Sequence, residues 1–174
     1  MHSITLQQIT SNFAKTNAGK TLHHPVLLKY IREFLINSSV LQTLESTCKD
    51  GKIYIWGAKF ERHHQLNKMD WRQCVFLFRQ GAIVNEAGVL IVIEVNEELA
   101  HHLWGQDSDG ETWGIIFFFK ELKSGLSIPA RVINRIIGYK DTNHWQGLVT
   151  ITTAQADEVI QLIKTTRAVA EAEK

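Results

Sequence analysis

The chain has 174 residues, enough for one domain with a full core and too few for two large ones. Its hydrophobic content of 44% and charged content of 21% are those of an ordinary globular protein. A net charge of +1 excludes a strong global field for nucleic acid or an anionic membrane, so any such binding needs a local patch. Cys48 and Cys74 lack metal-type spacing, and there is no 18-residue apolar run and no leader pattern. The expectation is a soluble, cytoplasmic protein with two reduced thiols and no membrane association.

Residues 1–48 read as helical. Leu6, Ile9 and Phe13 share a helical face, with Thr5 and Gln8 spaced as a capping box. Asn17-Ala18-Gly19 breaks that helix, and Pro25 suits the first turn of a second one carrying Leu27, Tyr30, Ile31, Phe34 and Leu35. Ser39 and Gln42 cap a third through Val40, Leu41 and Leu44. Asp50-Gly51 marks a turn where the pattern changes from helical to β. This predicts an N-terminal helical extension over 1–48 and a second unit over 49–174.

Lys52 to Trp56 reads as a strand, followed by a polar, basic loop or ragged helix from Lys59 to Lys68. Cys74 to Phe78 is rich in β-branched and aromatic residues, as strands are. Gly81 and then Asn85-Glu86-Ala87-Gly88 supply turn chemistry before the apolar run Val89 to Ile93. Asn96 caps a short helix that delivers Trp104 to its end, and the chain returns from Trp113 to Phe119. Ser127-Ile128-Pro129 opens a helix bearing Val132, Ile133, Ile136 and Ile137, which Gly138 ends. A polar loop leads to a last strand, Leu148 to Ile151, and a closing helix with Val159, Leu162, Ile163 and Val169. Short strands joined by turns and short helices predict an α+β fold, a small, partly closed barrel with flanking helices.

Catalytic signatures are weak. The pairs His23-His24, His63-His64 and His101-His102 lack the i, i+4 spacing of a helical zinc site, so neither a metal nor another cofactor is expected. There is no Gly-x-Ser-x-Gly elbow and no phosphate-cradling glycine loop, and Cys74 should be buried and inert. Asp107 and Asp109 sit in a Gly-ended loop, where forming a turn is their usual role. The chain is not expected to be an enzyme.

Five tryptophans carry more information. Trp71 is expected in the core, because tryptophan is usually largely buried. Trp56 and Trp104 end elements and precede small residues, which would leave ring faces open for a planar guest such as a nucleobase. Between Lys52 and Arg79 there are six basic residues against Glu61 and Asp70. The solvated surface that most charge runs form is the plain alternative to a nucleic-acid patch.

Ile53-Tyr54-Ile55-Trp56-Gly57-Ala58, Val75-Phe76-Leu77-Phe78, Gly88-Val89-Leu90-Ile91-Val92, Leu103-Trp104-Gly105-Gln106-Asp107 and Ile116 to Leu122 together resemble, in order and spacing, the YTH domain. They are also similar to EVE and other PUA-like domains, over about residues 52–165. The resemblance implies a PUA-like reader that takes a modified base, N6-methyladenine in the YTH domain, into an aromatic cage. Trp56 and Trp104 match its cage tryptophans in position, and Trp113 is the candidate third wall. Lys59, Arg62, Lys68, Arg79 and Lys140 are the candidate contacts to the nucleic-acid backbone. The implied partner is DNA carrying a modified base, with RNA as the alternative, and the implied setting is a modification-dependent restriction system with a fused or separate nuclease or motor. A PUA-like RNA-binding module, a protein-interaction domain with residues 1–48 as its docking surface, and hydrolase chemistry on an ASCH-like barrel are the other readings.

Overall fold

The computed structural model describes residues 2–172, with side chains described through Thr166; Val169 and the final Glu173 and Lys174 lie outside that set. The chain opens with a strand, β1 (Ser3–Gln8), where a helix is predicted. Ile4 and Leu6 face one apolar cluster with Leu77, while Ser3, Thr5 and Gln7 on the other face are also buried. The hidden polar face is satisfied: the Thr5 hydroxyl lies 3.2 Å from Cys74 Sγ and 3.1 Å from Thr150 Oγ1. A buried, hydrogen-bonded polar face disguises the period-2 alternation of a strand.

A short helix, α1 (Asn12–Asn17), follows and is capped by Ser11, which accepts from the Ala14 N–H at 3.0 Å. Pro25 introduces not a helix but β2 (Val26–Leu27) and two single 3₁₀ turns, Leu28–Tyr30 and Arg32–Phe34. The predicted apolar stripe still points inward at Ile31. The next helix, α2 (Ser38–Thr47), is present, with Asn37 as its cap.

Strand β3 (Lys52–Ala58) leads into a 3₁₀ segment, Phe60–Lys68. Next come β4 (Cys74–Gln80) and β5 (Ile83–Val95), which turn at Gly81-Ala82. Asn85 to Gly88, predicted as turn, instead belong to β5 and pair with β4 through Phe78↔Glu86 and Phe76↔Gly88. Gly88 brings the backbone close to β6, where a Cβ would lie 3.0 Å from the Phe119 ring and 3.1 Å from the Leu122 side chain. Helix α3 (Glu97–Trp104) is capped as predicted, the Asn96 side chain accepting from the Leu99 N–H at 2.9 Å. The chain closes with β6 (Ile115–Lys123), β7 (Ile128–Pro129), α4 (Ala130–Ile136), β8 (Val149–Ile151) and α5 (Ala154–Ala172). No helix among the described residues is long and apolar enough to cross a membrane.

The strands form one eight-stranded sheet in the order β2-β3-β6-β5-β4-β1-β8, with β7 attached to β5. β1 runs parallel to β4 and antiparallel to β8. The path from β2 to β8 is not closed into a barrel, but the sheet curls enough that one face surrounds its own core. Phe76, Phe78, Phe117, Phe119 and Trp56 meet there, with the Phe76 and Phe117 rings 4.8 Å apart. On the outer faces, Ile116 and Phe118 pack under α2 and α3, and Ile4 and Leu6 pack under α4 and α5. Alternation along β6 therefore divides its residues between two cores.

Candidate nucleic-acid interface

Trp56 stands near the end of β3 and is only 2% exposed. Its indole N–H donates to Gln7 Oε1 at 2.8 Å, and Gln7 Nε2 donates to the Gly147 carbonyl at 2.7 Å. Phe78 meets the ring edge-on at 5.5 Å, and Trp113 lies tilted against it at 4.8 Å. A Cβ at Gly57 would fall 2.5 and 2.7 Å from two Trp104 ring carbons. A side chain at 57 and the Trp104 ring therefore compete for one space.

Trp104 is 4% exposed and donates from its indole N–H to Thr21 Oγ1 at 3.0 Å. Its ring meets Trp113 at 5.5 Å and 61°. The three tryptophans thus come together in space, although they are distant along the chain. Trp113 occupies the position between the other two, so Trp56 and Trp104 are not opposite walls of a slot. Phe13 from α1 packs edge-on against Trp113 at 5.3 Å.

A cavity of about 360 Å³ opens beside this group. Trp56 and Trp113 line it together with Gln7, Ser11, Arg62 and Gly147. Trp56 offers little of its ring, and half-buried Trp113 offers more. Trp104 does not line the cavity and serves as backing behind Gly57 and Trp113. One side of the cavity comes from residues 7–14, inside the segment predicted to be a separate extension. Sequence reasoning missed Gln7 and Ser11, because the helical reading of residues 1–48 hid a strand that ends at the site.

The five predicted cationic contacts divide into distinct settings. Arg62 and Lys68 are exposed on the 3₁₀ segment, with Arg62 over Gly147 at the cavity and 3.3 Å from Glu61. Lys140 is exposed in the loop after α4. Lys59 lines the cavity, but its ammonium is held by Asp107 at 2.7 Å and Glu111 at 2.5 Å, with Asp109 at 3.9 Å. Those hydrogen bonds push the Lys59 pKa up, and the same bond holds the Asp107 carboxyl below the usual range. Asp107 also accepts from the Asp109 and Glu111 N–H groups at 2.9 and 3.0 Å, so it forms the turn as predicted.

Arg79 is a correction. It is 5% exposed, and it donates to the carbonyls of Gly81 and Asn143, each at 2.6 Å, with its guanidinium 5.4 Å from the Trp145 ring centroid. Burial lowers its pKa, and its donors tie the Gly81 turn to the 139–147 loop rather than facing solvent. The same loop is fixed by the Trp145 indole N–H donating to Asn134 Oδ1 at 2.6 Å. Trp71 is the second correction: predicted for the core, it is 46% exposed, with Arg72 over its ring at 5.3 Å. Cys74 is buried as expected, and that burial pushes its thiol pKa up. Among the described residues, no group of three or more His, Cys, Asp and Glu side chains is placed to hold a metal.

No family model and no curated protein matches the chain. Among solved structures, the N-terminal domain of Thermococcus gammatolerans McrB bound to m5C DNA is similar, with a TM-score of 0.67. The match covers 94% of this chain and 98% of that one at 17% identity. The fold is PUA-like. At 94% coverage the PUA-like match takes in most of residues 1–48, in keeping with β1 lying within the sheet.

Proposed function

We propose that this chain is a reader domain that binds DNA carrying a modified base, accommodating the flipped base in the cavity beside Trp56 and Trp113. The observation that carries this reading is the placement of that cavity, walled by two tryptophans with exposed Arg62 at its edge. Its volume of about 360 Å³ falls in the range of small-ligand pockets. The similar solved domain, bound to m5C DNA, supports DNA as the partner. The YTH-like motifs favour N6-methyladenine as the base and a modification-dependent restriction system as the setting, with a nuclease or motor as effector. Trp113 supplies the stacking face, Trp56 the inner wall, and Trp104 the backing that sets Trp113 in place. Arg62, Lys68 and Lys140 supply backbone contacts, and Lys59 serves as a strut that holds the 107–111 loop. The domain acts by binding and carries no chemistry of its own.

The energies constrain how such a site discriminates. Extracting a paired base costs a few kcal/mol, and stacking returns about 1–3 kcal/mol per base. Burying one methyl adds only about 0.8 kcal/mol. Strong preference therefore depends on excluding the water that an unmethylated amine needs. The methylated amine is neutral, so the attraction is apolar contact rather than cation–π.

The test is a titration of the protein with duplexes carrying N6-methyladenine, 5-methylcytosine or no modification, and with matching RNA. Preference for a methylated duplex, with Trp113→Ala weakening it about tenfold, is expected from loss of one stacking wall. Equal affinity for modified and plain DNA would end the reading, and tighter binding of RNA would replace it with the RNA-binding alternative.

A further inference from the structure

Phe60 lies between Lys59 and Glu61, both of which line the cavity, yet its own side chain belongs to no core cluster and is 49% exposed. The exposed ring is held in place rather than left loose. In a 3₁₀ segment, side chains three apart lie one above the other, and the His63 ring stacks on Phe60 at 5.0 Å with 15° between planes. His63 Nδ1 lies 3.0 Å from the Phe60 carbonyl, which fixes the imidazole under the phenyl. Exposed Arg62 and Lys68 share the segment, so this apolar face is flanked by cations suited to phosphates. Trp71, also exposed, stacks with Arg72 and is not among the residues lining the cavity.

We propose that Phe60, backed by His63, fills the gap left in a DNA duplex when the modified base moves into the cavity. The inference rests on the reader function proposed above and adds a second contact to it. Extrusion leaves the orphan base and the neighbouring steps without a stacking partner, and apolar side chains inserted between base steps are a known remedy for such unstacking. An exposed ring set between two residues that line the cavity meets that need without moving the sheet. The contact has value only on a duplex, because a single strand has no orphan base and no gap.

The experiment measures binding of the full chain, Phe60→Ala and Phe60→Leu to one modified oligonucleotide, single-stranded and as a duplex. Phe60→Ala is expected to lose at least about fivefold more affinity for the duplex than for the single strand, the scale of one stacking contact. Phe60→Leu, still apolar, should recover part of that loss. A duplex-specific loss smaller than this, or the same loss on both forms, overturns the gap-filling role. If the unaltered chain does not distinguish modified from plain DNA, the reader function falls and this inference with it. A discriminating chain whose Phe60→Ala form behaves normally removes only the inference.

Discussion

A methyl group added at Gly57 would sit 2.5 Å from one Trp104 ring carbon and 2.8 Å from Trp113 Cβ. Neither neighbour is the free end of a flexible side chain, so Gly57→Ala must displace an indole. The expected cost is about 1–3 kcal/mol of stability, the usual range for overpacking, read as a lower thermal midpoint. The clash also reaches Trp113, which lines the cavity, so affinity for modified DNA should fall by more than an equally destabilising core substitution elsewhere produces. An unchanged midpoint with unchanged binding would show that the tryptophans tolerate separation. Small residues beside Trp56 were legible as a signal, but their meaning was not. In sequence, Gly57 suggests an open ring face; in the fold, a second tryptophan fills the space that glycine leaves. The identity of the cluster was readable, and the order of its rings depended on how α3 docks on β3.

The loop from Asp107 to Thr112 is held mainly by one element-to-element contact, the Lys59 ammonium beside Asp107 and Glu111. Asp107 has a folded pKa below its unfolded value, so its stabilising contribution is present at neutral pH. That contribution is lost as pH falls below the unfolded carboxylate value of about 4 and through the depressed folded value. The expected outcome is an acid transition in tryptophan emission, because Trp113 directly follows the loop. Asp107→Asn should already show the acid-form emission at neutral pH. A transition that persists unchanged in Asp107→Asn would assign it to another carboxylate. At this scale the sequence was informative wherever an element carries its own signal. The Asn96 cap, the strand at Cys74 to Phe78 and the turn at Asp107 all depend on local chemistry. Arg79 could not be read this way. An arginine on a strand is usually solvated, and only the return of the 139–147 loop, pinned by Trp145 and Asn134, buries its guanidinium.

The whole molecule depends on its first strand, the element least legible in the sequence. β1 lies between β4 and β8, and no local pattern announces a parallel pairing between residues some seventy positions apart. Ile4 and Leu6 contribute to the core under α4 and α5, while Gln7 reaches the other side to hold the Trp56 indole. Removing residues 1–48 would therefore bare one edge of β4, uncover Leu77 and leave the Trp56 N–H without its acceptor. It would also take away the Gln7 and Ser11 side of the cavity. A freely appended extension could be removed at little cost, whereas a strand inside the sheet cannot. The fragment 49–174 is thus expected to lack a cooperative thermal transition and to bind no modified DNA. The milder change Gln7→Leu keeps the strand but strands a buried indole donor, costing about 1–3 kcal/mol. A 49–174 fragment that melts cooperatively and still binds would support the boundary near residue 48 and make β1 an accessory to a core that folds without it.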